Sequence, residues 1–260
     1  MGSIKLISTI ACTIGVLVFA TSFVIHPPKV KDTLIFVDKT QSAALNKETQ
    51  ATYNAKLDKL VKERYDSKNS SLKGFYIHGN TLGAGSFFES AFPLSAPDVA
   101  DKGQLKAKVL TNNYKKEKLV KQDEVFQAIK KHIEKKNEGS SRSKTDVWGA
   151  LQLISNHYAK RQNADRKVVF LSDMMESMPG KGRRDFHVKA PKDKAEAEQL
   201  AVADLKWIKQ NLDVNAGIFA GLRIEVWPPA DAMQGGKYQH IEYYWKKMFA
   251  ELKTNFEWVK

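Results

Sequence analysis

One cysteine, Cys12, is all the thiol chemistry that the 260 residues contain. An intrachain disulfide framework and a cysteine-rich zinc site are therefore both excluded. Because that cysteine lies outside the part read below as globular, a cysteine-free domain suits either redox compartment. Negative charge is the second shortage: 29 Asp+Glu stand against 42 Lys+Arg, a formal charge of +13 that belongs to the whole chain rather than to one tail. Such an excess favours acidic partners without naming one. Internal repeats and low-complexity tracts are lacking too, and with 42% apolar residues the chain can fill a real core. Disorder as a general state is excluded.

Long uncharged runs are rare, and the exception is at the amino terminus. Leu6–Ile25 (LISTIACTIGVLVFATSFVI) holds twenty residues without a charge, behind the short cationic start Met1–Lys5. As a helix it would span about 30 Å at ~1.5 Å per residue, the thickness of a bilayer core. Two readings compete: an uncleaved signal anchor, and a secretory peptide cleaved near Val18-Phe19-Ala20. The anchor is favoured because the apolar run continues through Phe23-Val24-Ile25, past that site. A lipoprotein reading of Thr9-Ile10-Ala11-Cys12 has too little apolar sequence before the cysteine. His26-Pro27-Pro28-Lys29 then reads as a stiff spacer. The expected organisation is an anchor or signal segment with spacer over 1–30 and one domain over 31–260. Positive-inside counting leaves the orientation open, since Lys5 and the α-amine on one side face Lys29 and Lys31 on the other. Long C-terminal domains translocate largely regardless of charge, so the expectation is a single-pass protein with an extracytoplasmic domain, periplasmic in a Gram-negative cell. Cleavage would instead give a secreted or periplasmic protein.

From Asp32 onward strands alternate with helices. Thr33–Val37 is a short apolar run ending at Asp38, the profile of a strand buried on both faces of a parallel sheet. Leu57, Leu60, Val61 and Tyr65 recur at helical steps. Gly74–His78 predicts a second strand, and Gly79–Gly85 a turn into a third near Phe87–Phe92, the pair forming an edge hairpin. A helix is expected over Val120–Lys135, a lysine-rich loop over Lys136–Lys144, and a helix with Val147, Leu151, Leu153, Ile154 and Tyr158 on one side. Arg166–Asp173 again runs apolar into an aspartate. After the basic loop Met174–Ala195 come a helix marked by Ala201, Leu205, Ile208 and Leu212, and a strand over Gly217–Val226. A final amphipathic helix carries Ile241, Tyr244, Trp245, Met248, Phe249 and Leu252. The fold class is α/β: a doubly wound, mostly parallel, Rossmann-like sheet with helices on both faces, whose ligands bind at the carboxyl ends of the strands.

Oxygen-bearing side chains gather at those ends. Asp38, Thr40 and Ser42 alternate where the first strand hands over to its helix, Asp173 closes a later strand, and Thr145 opens the helix between. Two carboxylates and three hydroxyls make a shell of hard oxygen donors, suited to a divalent cation such as Mg²⁺. A duller reading is available for each piece, because hydroxyl and carboxyl side chains cap helices at such turns anyway. The spacing of the three pieces, in order and each at the correct end of its element, favours the metal reading.

At these residues the chain resembles the von Willebrand factor A domain family, whose metal-ion-dependent adhesion site reads Asp-x-Ser-x-Ser, then Thr, then Asp. Asp38-Lys39-Thr40-Gln41-Ser42 is similar to the first motif with threonine for the first serine, Thr145 in Thr145–Leu151 to the second, and Leu171-Ser172-Asp173 to the third. Met174 stands where the family has a glycine after the last aspartate. The resemblance runs from about Lys31 to Lys260. It implies that Thr40, Ser42 and Thr145 contact a Mg ion (Mn or Ca being possible) through hydroxyls, that Asp38 and Asp173 act often through water, and that an acidic residue of a protein partner completes the shell. The function it implies is a non-enzymatic, membrane-tethered adhesion or scaffold module.

Other readings are weaker. Haloacid-dehalogenase-like phosphatases also begin with an aspartate ending a first strand, but place a second aspartate two residues later, where this chain has Thr40. A metal-dependent phosphohydrolase is thus the enzymatic alternative, and a degenerate scaffold that binds no metal the inert one. His78 reads as a packed or edge histidine, and Gly79–Gly85 lacks the Lys-Ser/Thr of a phosphate loop. Lys181, Arg183, Arg184, His187, Lys189, Lys192 and Lys194 either ring the metal site or form a solvated loop. Nucleic acid is a lesser partner, since the charge fits but no recognised binding module is present, and basic sequence can equally touch anionic lipid.

Overall fold

The computed structural model describes residues 29–40, 46–135, 144–233 and 236–259. The expected anchor over Leu6–Ile25, Ser42 and most of the lysine-rich loop lie outside the described residues. No described helix is long and apolar enough to cross a membrane.

Six strands form one sheet: β1 (Lys31–Asp38), β2 (Ser71–Ile77), β3 (Ser86–Ala91), β4 (Asp165–Leu171), β5 (Arg223–Trp227) and β6 (Asn255–Trp258). Their order is β3-β2-β1-β4-β5-β6, and all neighbours are parallel except β2 and β3. β1 and β4 are the two central strands, and they read as apolar runs because both faces are covered. Leu34 and Phe36 point into one core with Val168, Phe170, Ile224 and Val226, and Ile35 and Val37 into the other with Val169 and Leu171. Phe36 stacks between Phe75 and Phe170 at centroid distances of 5.4 and 5.0 Å, which locks the register of the three middle strands.

Helices cover both faces. α1 (Lys47–Arg64) and α2 (Gln104–Glu134) pack on the Ile35 side, α3 (Val147–Ala159), α4 (Lys194–Asn211) and α5 (Gly236–Glu251) on the Leu34 side. α1 starts where Asn46 accepts the amide of Thr49, and α4 where Asp193 accepts that of Glu196, so side-chain caps fix where each helix begins. The edge hairpin, the helix carrying Leu57 to Val61 and the aromatic core of α5 follow the sequence expectation.

Three elements differ from it. α2 begins at Gln104, not near Val120: its first eighteen residues bury no side chain fully, and only Ala107, Leu110, Thr111 and Tyr114 give them a half-buried apolar face. Gly217–Val226 is not one strand: Ala216–Phe219 is a 3-10 turn capped by Asn215, and Gly221 at φ 70° reverses the chain before β5 begins at Arg223. The chain does not close on α5, since β6 follows and completes the far edge of the sheet.

Candidate metal centre

The chain leaves β1 toward β2 and β3 on one side and leaves β4 toward β5 and β6 on the other, so the crevice between the carboxyl ends of β1 and β4 is the topological switch point. Asp38 is the last residue of β1 and Asp173 lies two residues beyond β4, at the two lips of that crevice. Both are buried.

Asp38 is held by its own turn. Its Oδ1 accepts from the Thr40 amide at 2.9 Å and from Thr40 Oγ1 at 2.6 Å, and its Oδ2 accepts from Ser172 Oγ at 2.7 Å. The Ser172 hydroxyl in turn accepts from the Met174 amide at 2.8 Å, and Asp173 Oδ1 accepts from that of Met175 at 3.0 Å. Burial, and next the negative charge of Asp173, push the Asp38 carboxyl from 3.8 up to about 7, against the hydrogen bonds from Thr40 and Ser172. The neighbouring cation gives little relief. Lys39 Nζ donates to the carbonyls of Ile133 and Lys135 at 2.7 and 2.6 Å, tying the β1 turn to the end of α2, and burial lowers its own pKa to about 8.

Thr145 stands on the same carboxyl edge. Its amide donates to Ser177 O and its carbonyl accepts from the Ser177 amide, while the Asp146 amide donates to His78 O just past β2. Its Oγ1 is buried and has no hydrogen-bond partner among the described residues. Asp38 and Thr40 thus meet directly, Asp173 is near enough to act on the Asp38 charge, and Thr145 occupies the expected end of α3. Among the described residues no three His, Cys, Asp or Glu side chains form a ligand group, so any cation here would depend on the hydroxyls.

The turn after β4 keeps a shape that glycine would make easy. Met174 has φ 59°, in the left-handed region, while its side chain is fully buried and its carbonyl accepts from Trp245 Nε1 at 2.8 Å. Packing and two hydrogen bonds therefore hold the conformation without the glycine.

Sequence reasoning missed the support beneath Thr145. Glu176, fully buried, accepts from the Val147 and Trp148 amides at 2.8 and 3.1 Å, satisfying two donors at the start of α3. Asp146 caps the same helix through the Gly149 amide at 2.8 Å, and Gly149 is required because a Cβ there would meet Asp146 Oδ2 at 2.3 Å. Arg183 bonds both carboxylates and lies 5.0 Å over the Trp148 ring. Burial pushes Glu176 up to about 8, with Arg183 pulling the other way. Of the two readings of the basic loop, neither covers it whole: Arg183 is consumed here and Arg184 by Asp204 at 2.6 Å, whereas Lys181, Lys189 and Lys192 are exposed. A cation and an anion seven residues apart in a loop gave no pattern from which this pairing could be read. His78 is a turn residue, its Nδ1 accepting from the Asn80 amide at 3.0 Å.

No protein-family model matches the chain. No curated protein is significantly similar to it. Among solved structures, the manganese-loaded TRAP protein of Plasmodium vivax is similar over 89% of this chain and 69% of that one, at 12% identity and a TM-score of 0.34. A likeness at that level bears on neither fold nor function.

Proposed function

We propose that this chain is a membrane-tethered binding module of the von Willebrand factor A type, in which a divalent cation at Asp38, Thr40, Ser42, Thr145 and Asp173 recognises an acidic residue of a protein partner. One observation supports the reading: two buried carboxylates share a crevice at the switch point, and on the same carboxyl edge the buried hydroxyl of Thr145 has no hydrogen-bond partner among the described residues. Such a set offers hard oxygen donors with two carboxylates among them, so it fits Mg²⁺, with Mn²⁺ or Ca²⁺ as alternatives.

In this reading the cation supplies a positive charge with an open coordination position for a partner's carboxylate. Thr40 and Ser172 fix both oxygens of Asp38, the Met175 amide fixes Asp173, and the Glu176–Arg183–Asp146 group holds the start of α3 and with it Thr145. Binding rather than catalysis is favoured because the Thr40 hydroxyl donates to Asp38 at the position where a phosphatase of the dehalogenase type has its acid. Residues 6–25 supply the tether, with the domain outside the cytoplasm.

Calorimetric titration of the full chain in detergent with Mg²⁺ and Mn²⁺ tests this. Saturable binding, lost in both Asp38→Ala and Asp173→Ala, is expected. No binding even with acetate supplied as the missing carboxylate would leave a scaffold without a cation, and hydrolysis of a chromogenic phosphate ester, abolished in Asp38→Asn, would make it an enzyme.

A further inference from the structure

α2 is too long for the sheet it packs on. Its buried side chains are Gln122, Val125, Ile129 and Ile133, all in its second half. Gln122 Nε2 donates to the carbonyls of Lys62 and Tyr65, at the lower end of α1 beside the amino ends of the strands, whereas Ile133 and Lys135 receive Lys39 at the carboxyl ends. The helix therefore rises along the sheet between Gln122 and Lys135. Its first eighteen residues, 104–121, extend about 27 Å beyond, on the side of the strands' amino ends.

That extension is basic and apolar together. It carries Lys106, Lys108, Lys115, Lys116, Lys118 and Lys121 against Glu117. Leu105, Val109, Leu119 and Val120 are 78%, 49%, 58% and 56% exposed, half of the exposed large apolar side chains among the described residues. At 3.6 residues per turn these four fall within an arc of about 100°, turned away from the face that continues into Val125 and Ile129. Asn112 and Lys116 lie inside the arc, between the Leu105–Val109 and Leu119–Val120 pairs, with Lys108 and Lys115 along one border and Lys106 along the other. Two apolar pairs set among lysines on one face suit a helix that lies in a lipid headgroup layer, its apolar side chains dipping inward and its ammonium groups snorkelling to phosphate. Nucleic acid would leave the apolar pairs in water, and the stretch has no arginine for base edges.

The placement agrees. β1 starts at Lys31 on this same end of the molecule, and only residues 26–30 separate it from the apolar run 6–25, a reach of at most about 17 Å. A bilayer holding that run lies within range of the 27 Å extension. We propose that residues 104–121 of α2 are a docking surface for an anionic lipid bilayer, which fixes the domain with its amino-end edge toward the membrane and its Asp38–Asp173 crevice away from it. The inference rests on the proposed tether for its geometry, and on α2 alone for its charge.

The test uses the full chain with vesicles of phosphatidylcholine alone or with 30% phosphatidylglycerol, read by flotation and by hydrogen exchange of segment 104–121. Exchange there is expected to slow at least tenfold on the anionic vesicles only. The affinity behind this protection should weaken in 0.5 M NaCl and fall about fivefold for each lysine removed in the series Lys106→Gln, Lys108→Gln, Lys115→Gln and Lys116→Gln, so that the slowing is lost within the series. Unchanged exchange in the β-strands of those variants separates lost docking from lost fold. If the chain floats with both vesicles but the segment exchanges equally on each, the tether stands and the docking surface is overturned. If it floats only with the anionic vesicles, and does so through these lysines, docking stands and the tether falls. Flotation with neither, or protection of the segment by duplex DNA but not by lipid, overturns the proposal.

Discussion

β1 carries a buried aspartate near each end, and the two are treated in opposite ways. Asp32 accepts from Ser71 Oγ at 2.9 Å, pairs with His157 Nε2 at 3.0 Å and with Arg161 at 3.1 Å. Burial works to raise its pKa, but the hydrogen bond and charge of His157, then Ser71 and Arg161, hold it below 3.8. Asp38, six residues on, has hydroxyl donors and a second carboxylate but no ion pair among the described residues, and its pKa rises to about 7. One end of the strand is electrostatically complete within the chain. At the other, two carboxylates are buried together without a salt bridge to Asp38 among the described residues, which is the arrangement the proposed cation would complete.

The contrast is broken most severely at Asp32. Asp32→Ala leaves Ser71, His157 and Arg161 without their common acceptor, and urea unfolding should show a loss of about 3 kcal/mol. A loss below about 1 kcal/mol would mean that the amino end of β1 is not held by this cluster.

The same contrast predicts a pH profile with two limbs for the metal-free protein. Asp32 is lowered in the folded state, so its contribution is complete above its unfolded pKa and disappears as pH falls through the folded value. Asp38 is raised, so its contribution is complete below about 3.8 and disappears as pH rises through about 7. Between about pH 4 and 7 the Asp38 effect should cost roughly 1 kcal/mol per pH unit, and millimolar Mg²⁺ should flatten that limb in thermal melts. A limb that Mg²⁺ leaves untouched would show that no cation offsets these carboxylates.

The smallest effect is the most specific. Thr145→Val removes a buried hydroxyl that has no hydrogen-bond partner among the described residues, so metal-free stability should stay level or rise by at most about 1 kcal/mol. Mg²⁺ affinity measured by calorimetry should nevertheless fall about tenfold. Equal affinity in the variant would remove Thr145 from the site.

What could be read in advance followed the depth of packing. β1 and β4 are buried on both faces, and an apolar run ending in aspartate is the direct imprint of that environment, so Asp38 and Asp173 were placed from the sequence alone. The left-handed Met174 and the role of Ser172 were hidden, because they depend on contacts with Trp245 and Asp38 that are distant in the chain. The Glu176–Arg183 pair was hidden for the same reason, formed inside a loop whose composition suggested only solvated charge. The start of α2 escaped because its first eighteen residues carry few apolar side chains among many lysines, and β6 because four residues are too few to show alternation.

Arg183 stacked over Trp148 also makes the crevice visible to an optical instrument. Trp148 is fully buried on α3, three residues after Thr145, and its ring lies 5.6 Å from that of Trp207, which in turn allows only hydrogen at Gly182. The guanidinium, on the loop that follows Asp173, thus faces an indole of α3 that lies beside one of α4. A ligand at the carboxyl edge that displaced this loop would change the surroundings of Trp148, a change that intrinsic fluorescence of the unlabelled protein would read against a Trp148→Phe control.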